Sequence, residues 1–169
     1  MNIIWKYLVL ITLMIILDQL TKGAIQSSFV HGESINVISN FFNLTYVRNS
    51  GAAFGIGANA NIYIRQFAFL FIPVLACFWL MYLIWIVRKS SVRLGLSYSL
   101  ILAGAVGNLI DRFSYGYVVD FLDFYWKQSH FPAFNVADSC ITIGGFILGI
   151  DFIIEFVQKK QNIKNEAYD

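Results

Sequence analysis

Residues 131–157 read FPAFNVADSCITIGGFILGIDFIIEFV. From Ser139 to Val157 the run is mostly apolar, and wholly so through GGFILGI (144–150), long enough for a helix to cross a bilayer core, which takes about 20 residues. At its doorway stand Asn135 and Asp138. A carboxylate at a membrane boundary is costly unless it is hydrated, paired or used. The stretch therefore decides the fold class and raises the functional question together.

Working outward, spans are expected at about 3–23, 64–87, 94–111 and 139–157. The chain of 169 residues is 58% hydrophobic and 13% charged, against about 25% charged in average soluble domains. The fold class that follows is an all-α polytopic membrane protein of four transmembrane helices, one domain over 1–169. The first span lacks an A-x-A-like site, carries Asp18 and Lys22 at its far end, and reads as a retained helix rather than a leader. Lys6, Arg88, Lys89, Arg93, Lys159, Lys160 and Lys164 fall on one side; Lys22, Arg48, Arg65, Arg112 and Lys127 fall on the other, over longer connections. The positive-inside rule then puts both termini in the cytoplasm.

The outer connections, 24–63 and 112–138, are long enough to hold structure of their own. INVISNFFNLTYVRN (35–49) reads as two or three short strands, a small extracytoplasmic β-rich subregion. FSYGYVVDFLDFYWKQSHFPAF (113–134) reads as an interfacial aromatic loop. Gly145 and Gly149 have the spacing of a close helix contact. No basic stripe interleaved with aromatics points to nucleic acid. Cys77 and Cys140 read as small apolar residues rather than a disulfide, and His31 and His130 without an HExxH motif give poor support to a zinc site. No GxSxG elbow or Walker loop occurs. No metal or organic cofactor is implied.

Most of the awkward polar groups fall at one depth. Asp18 and Lys22 end the first span; Asn108, Asp111 and Arg112 end the third; Asn135 and Asp138 open the fourth; Asn49 and Asp120 lie in the outer connections. Each has a plain reading. Asp18 and Lys22 suit a structural ion pair, Arg112 a phosphate anchor, Asn135 or Asp138 a helix cap, and Asp123 a solvated loop residue. Asp151 and Glu155 are placed at the inner headgroups. The accumulation at one level is what these readings leave unexplained. Asp120 and Asp138 lie at either end of a connection that leaves the surface and returns, so they can face each other. Two close carboxylates share a proton, and the pair can activate water while donating to a carbonyl. Asn108, Asn135 and Arg112 would orient such a pair.

Five segments resemble the bacterial lipoprotein signal peptidases: DQLTK (18–22), RNSGAAFG (48–55), AGAVGNLIDR (103–112), VVDF (118–121) and FNVAD (134–138). Their order and spacing match as well as their letters. The resemblance implies an intramembrane aspartic endopeptidase of the bacterial inner membrane, its site at the outer leaflet. It would cleave diacylglyceryl-modified prolipoproteins just before the lipidated cysteine. It maps the catalytic aspartates to Asp120 and Asp138, and substrate contact or site architecture to Asn49, Gly51, Asn108, Asp111, Arg112 and Asn135. Asp18 and Lys22 match a motif with a structural or stabilising role. Further expectations are membrane phospholipid as a partner and inhibition by cyclic peptides of the globomycin type, with a monomer as the default state. The family often doubles the first glycine of the third motif, where this chain has Ala103 and Gly104.

Physical considerations add three expectations. Diacylglyceryl chains would lie in a groove between spans. Gly51, Ala52 and Ala53 are small enough to admit a peptide backbone, and the aromatic stretch 113–131 would close over it. Two rival readings remain at this level. One is a Ser/Lys peptidase using Ser50 or Ser139 with Lys22, disfavoured because Asp18 would keep the lysine charged. The other is a small ion-coupled transporter, disfavoured by the absence of symmetric halves.

Overall fold

The computed structural model describes residues 3–51 and 61–166; Ala52 and Ala53 lie outside them. Helix α1 (Ile3–Ser28) leads into strands β1 (Ser34–Ile38) and β2 (Phe42–Asn49). A short helix α2 (Ile62–Gln66), a π-helical turn (Phe67–Phe71) and helix α3 (Ile72–Val87) follow as one rod. Helix α4 (Val92–Tyr115), strands β3 (Val118–Trp126) and β4 (Ser129–His130), and helix α5 (Val136–Glu166) complete the chain. Four stretches are long and apolar enough to cross a membrane: Ile3–Ser28, Phe67–Val87, Val92–Tyr115 and Val136–Gln161.

The helices show the inverse of a soluble pattern. Leu13, Leu20, Phe78, Trp79, Phe146 and Phe152 are exposed, while Asp18, Lys22, Asp111 and Asp151 are buried. Hydrocarbon outside and polar groups inside is the arrangement a bilayer selects. Helix α4 is the hub, packing against α1, α3 and α5. Its span is 56% buried, against 17% or less for the others. Small residues allow this, with Gly95, Ser97, Ser99, Ala103, Gly104 and Gly107 all buried.

Pro73 explains the π turn. It has no N–H to give the carbonyl four residues back, and Ile72 N–H reaches instead to Phe67 O, five residues back. Gly116, at φ +79°, ends α4 in the left-handed conformation and turns the chain into β3.

The strands form one antiparallel sheet in the order β1-β2-β3-β4. The stretch 35–49 thus makes two strands, as its composition suggests. The aromatic connection differs from its expectation as a loop: its middle is β3, paired to β2 with Val47 opposite Asp120 and Asn49 opposite Val118. Asp123 is correspondingly not a solvated loop residue. It is 8% exposed, accepts a hydrogen bond from Asn43 Nδ2 at 2.9 Å, and meets His130 Nδ1 at 2.8 Å.

Two further expectations are corrected. Asp151 does not reach headgroups; it is buried and pairs with Arg93 at 2.6 Å, tying α5 to the start of α4. Gly145 and Gly149 face open space, and the close contact belongs to Gly144, where an added Cβ would stand 2.7 Å from Ile101 Cγ1 and 2.8 Å from Ser97 O. Gly144→Ala is therefore expected to cost roughly 1–3 kcal/mol of stability in detergent. Gly145→Ala should stay within about 0.5 kcal/mol of wild type. Equal melting temperatures for the two variants would contradict this helix register.

Candidate active site

Asn135 is the cap of α5, and its geometry explains the doorway of the opening stretch. Its Oδ1 accepts Asp138 N–H at 2.9 Å, while Asp138 Oδ2 accepts Asn135 N–H at 3.3 Å. This reciprocal pair is a capping box, so both residues do cap the helix. Capping leaves Asn135 Nδ2 and Asp138 Oδ1 free for other partners. Asn135 Nδ2 donates to Asp120 Oδ1 at 2.7 Å, and Asn108 Nδ2 donates to Asp138 Oδ1 at 2.8 Å. Asn49 Nδ2 donates to the other oxygen of Asp120 at 3.0 Å. Asp120 is thus held by two side-chain amides and Asp138 by one, and Asn135 touches both.

Beneath them lies a buried charge cluster. Lys22 Nζ stands 2.8 Å from Asp18 Oδ2 and 3.0 Å from Asp111 Oδ2, and donates to Asn108 Oδ1 at 3.0 Å. The lysine is 2% exposed and both acids are 1% exposed. Its three N–H donors are matched by three acceptors, none of them a serine hydroxyl, an arrangement that does not suit a Ser/Lys dyad. Asn108 Oδ1 also accepts Asn135 Nδ2 at 3.2 Å. The ammonium thereby fixes which way the Asn108 amide points, and so places the donor that meets Asp138. Asp18 Oδ1 accepts Ala137 N–H at 2.9 Å, and Asp111 Oδ2 accepts Val119 N–H at 3.0 Å. One carboxylate thus anchors the start of α5 and the other anchors β3 beside Asp120. The Asp18–Lys22 pair seen in the sequence is one edge of this larger cluster.

Gln19 was not singled out in the sequence, although it lies in DQLTK. Its Nε2 donates to Asp18 at 3.1 Å, Gly107 O at 3.2 Å and Asp111 at 3.0 Å, joining α1 to α4. An amide inside an apolar helix beside an acid was the available signal. Gly107 makes the approach possible, since a Cβ there would lie 2.6 Å from Asp18 Oδ2.

Asp120 and Asp138 line one cleft of about 660 Å³. Asn49, Asn108 and Arg112 line it too. Its remaining walls are largely apolar: Phe69 and Pro73, Ala105 of α4, and Ile141 to Ile143 of α5. Arg112 is held by Gly51 O at 3.1 Å and stands 5.8 Å from the Phe69 ring. Phe69 belongs to the π turn. Of the stretch 113–131, Val118, Asp120 and Phe131 line the cleft, while Phe113 belongs to a separate groove with Tyr63 and Phe71. Burial, with the charge of Asp138 adding to it, pushes the Asp120 carboxyl up to about 7. The amide donors from Asn49 and Asn135 oppose the shift without cancelling it.

Fold and site define a multi-span membrane protein with paired carboxylates in a cleft at the sheet end of its helices. Residues 10–154 match the signal peptidase II family model, and the chain belongs to that family of peptidases. It is a multi-pass bacterial membrane protein. A lipoprotein signal peptidase of Shewanella piezotolerans is 45% identical over 164 residues, covering 95% of this chain and 93% of the relative. Another, from Desulforapulum autotrophicum, is 50% identical over 133 residues, covering 79% and 82%. A bacterial membrane enzyme solved by the in meso method at 2.3 Å resolution superposes with a TM-score of 0.81 at 34% identity, covering 92% of each chain.

Proposed function

We propose that the chain is an intramembrane aspartic endopeptidase that removes the signal peptide from diacylglyceryl-modified prolipoproteins, cutting just before the lipidated cysteine. The observation that carries this reading is the pair itself: Asp120 and Asp138 on one cleft, both touched by Asn135. One carboxyl, protonated, donates to the scissile carbonyl oxygen. The other, ionised, takes a proton from water as its oxygen attacks the carbonyl carbon. The tetrahedral intermediate then collapses with a proton passed to the leaving amide nitrogen. Asn49, Asn108 and Asn135 hold the carboxylates, and Arg112 faces the substrate backbone beside Gly51. Lys22, Asp18 and Asp111 set these groups from below.

The apolar walls formed by Phe69, Pro73 and Ile141 to Ile143 suit the acyl chains of a lipidated substrate. A substrate helix satisfies its own backbone, so it must unwind a few residues to be cut, and the sheet offers backbone partners where that happens. With both termini in the cytoplasm, the sheet end lies at the outer face of the inner membrane. The chain works as a monomer among phospholipids, and cyclic peptides of the globomycin type would occupy the same cleft.

Purified protein in detergent, without an ion gradient, is expected to cleave a diacylglyceryl-modified prolipoprotein. The same prolipoprotein without its diacylglyceryl group should lose roughly 100-fold or more in kcat/KM, since remote binding energy then no longer positions the peptide. Equal cleavage of both forms would contradict the lipid-groove part of the reading. No cleavage of either would contradict the activity.

A further inference from the structure

The opposite face of the sheet carries a second polar constellation. Val47 lies opposite Asp120, and Arg48 lies opposite Val119, so Arg48 and Asp120 sit on different faces. Arg48 stands 5.2 Å above the Tyr46 ring and 5.0 Å above the Tyr117 ring, and its Nε donates to Tyr46 Oη at 3.0 Å. The two phenol oxygens are 3.5 Å apart. Tyr115 stacks on Tyr117 with ring centres 5.7 Å apart. Tyr46 is buried against Ile25 near the end of α1, while Arg48 is exposed.

This cluster has more donors than acceptors. Among the described residues no carboxylate pairs with Arg48, and neither Nη group has an acceptor. The two phenols have each other and Gln26 as hydrogen-bond partners, so the donors left over are those of the guanidinium. Arg112, the arginine of the cleft, differs because its Nη2 is spent on Gly51 O. The depth also matters. Gln26 near the end of α1 and Tyr115 at the end of α4 border the cluster, so it lies where the spans end. Tyrosine and arginine there meet headgroups, and a guanidinium fork matches phosphate oxygens in pairs.

We propose that Arg48, with Tyr46 and Tyr117, binds the phosphate of an anionic phospholipid at the sheet end of the bundle, on the face turned away from Asp120. The two Nη groups take the phosphate oxygens. The tyrosine rings hold the guanidinium in place, so little side-chain freedom is lost on binding.

The test is native mass spectrometry of the delipidated full chain in detergent, titrated with equal phosphatidylglycerol and phosphatidylcholine of the same acyl chains. Wild type should retain one phosphatidylglycerol with about tenfold preference. Arg48→Gln should lose that preference and Tyr117→Phe should weaken it a few-fold, whereas Lys127→Gln, which removes an exposed charge from the β3–β4 turn, should keep it. Melting temperature in the same detergent reports folding. Should Arg48→Gln not fold, Arg48→Lys replaces it and is expected to bind about threefold more weakly. The proposal is overturned if wild type shows no preference, if the Arg48 variant keeps it, or if Lys127→Gln loses as much. Inorganic phosphate and glycerophosphoglycerol, added at the lipid's concentration, should displace nothing; displacement by either would assign the site to a soluble phosphate instead.

Discussion

Asp120→Asn and Asp138→Asn are each expected to remove cleavage of a lipidated prolipoprotein by about 10⁴-fold or more, with the double variant little worse than either. Groups that act as one unit fail together, so the losses should not multiply. Asn keeps the shape of Asp and can still accept from Asn135 or Asn108, so both variants should stay folded. Asp120→Asn should even melt higher than wild type at pH 8. Burial and the Asp138 charge raise its pKa to about 7, so the folded state binds the proton more tightly than the unfolded chain. Stability from this group is thus lost as pH rises from the ordinary carboxylate range through 7, and Asn escapes that loss. Near wild-type cleavage by either variant would contradict the acid-pair mechanism.

Lys22→Met is expected to have the second largest effect. It leaves Asp18 and Asp111 buried side by side without their cation, which costs roughly 3–5 kcal/mol. Lys22→Met with Asp111→Asn should recover part of that stability, because one of the stranded charges is gone. Activity should not recover with it. Asn108 then lacks the donor that fixes its amide, and kcat should remain roughly 10–100-fold low with little change in KM. Full recovery of kcat would show that Lys22 acts on stability alone.

The four helices were legible because membrane spans announce themselves by length and apolarity, without any need for a period. The site residues were legible for a related reason: Asp18, Lys22, Asn108 and Asp138 are expensive in apolar surroundings and stand out. What stayed hidden depends on which side of a helix meets a neighbour. Around its glycines α5 is apolar on every side, so nothing in the local composition distinguishes Gly144, which touches α4, from Gly145 and Gly149, which do not. Asp151 looked like a headgroup residue because its partner Arg93 is distant in sequence. Asp123 looked solvated because its environment comes from pairing β2 with β3, which brings Asn43 to it. Gln19 was passed over as a neutral side chain, although its one amide spans two acids and a carbonyl.

The most direct test of the central claim, that Asp120 and Asp138 act as one proton-sharing unit, is a carboxyl titration in detergent. Asp labelled with ¹³C at the carboxyl would be followed by NMR in wild type and in Asp138→Asn. Asp120 should titrate near 7 in wild type. It should fall in the variant yet stay above the ordinary carboxylate range, because burial is the larger cause and remains. Cleavage by wild type should decline through the same pH as the proton leaves. If Asp120 instead titrates near 4 in wild type, or is unmoved by loss of Asp138, the two carboxylates do not share a proton and the mechanism proposed for them is wrong.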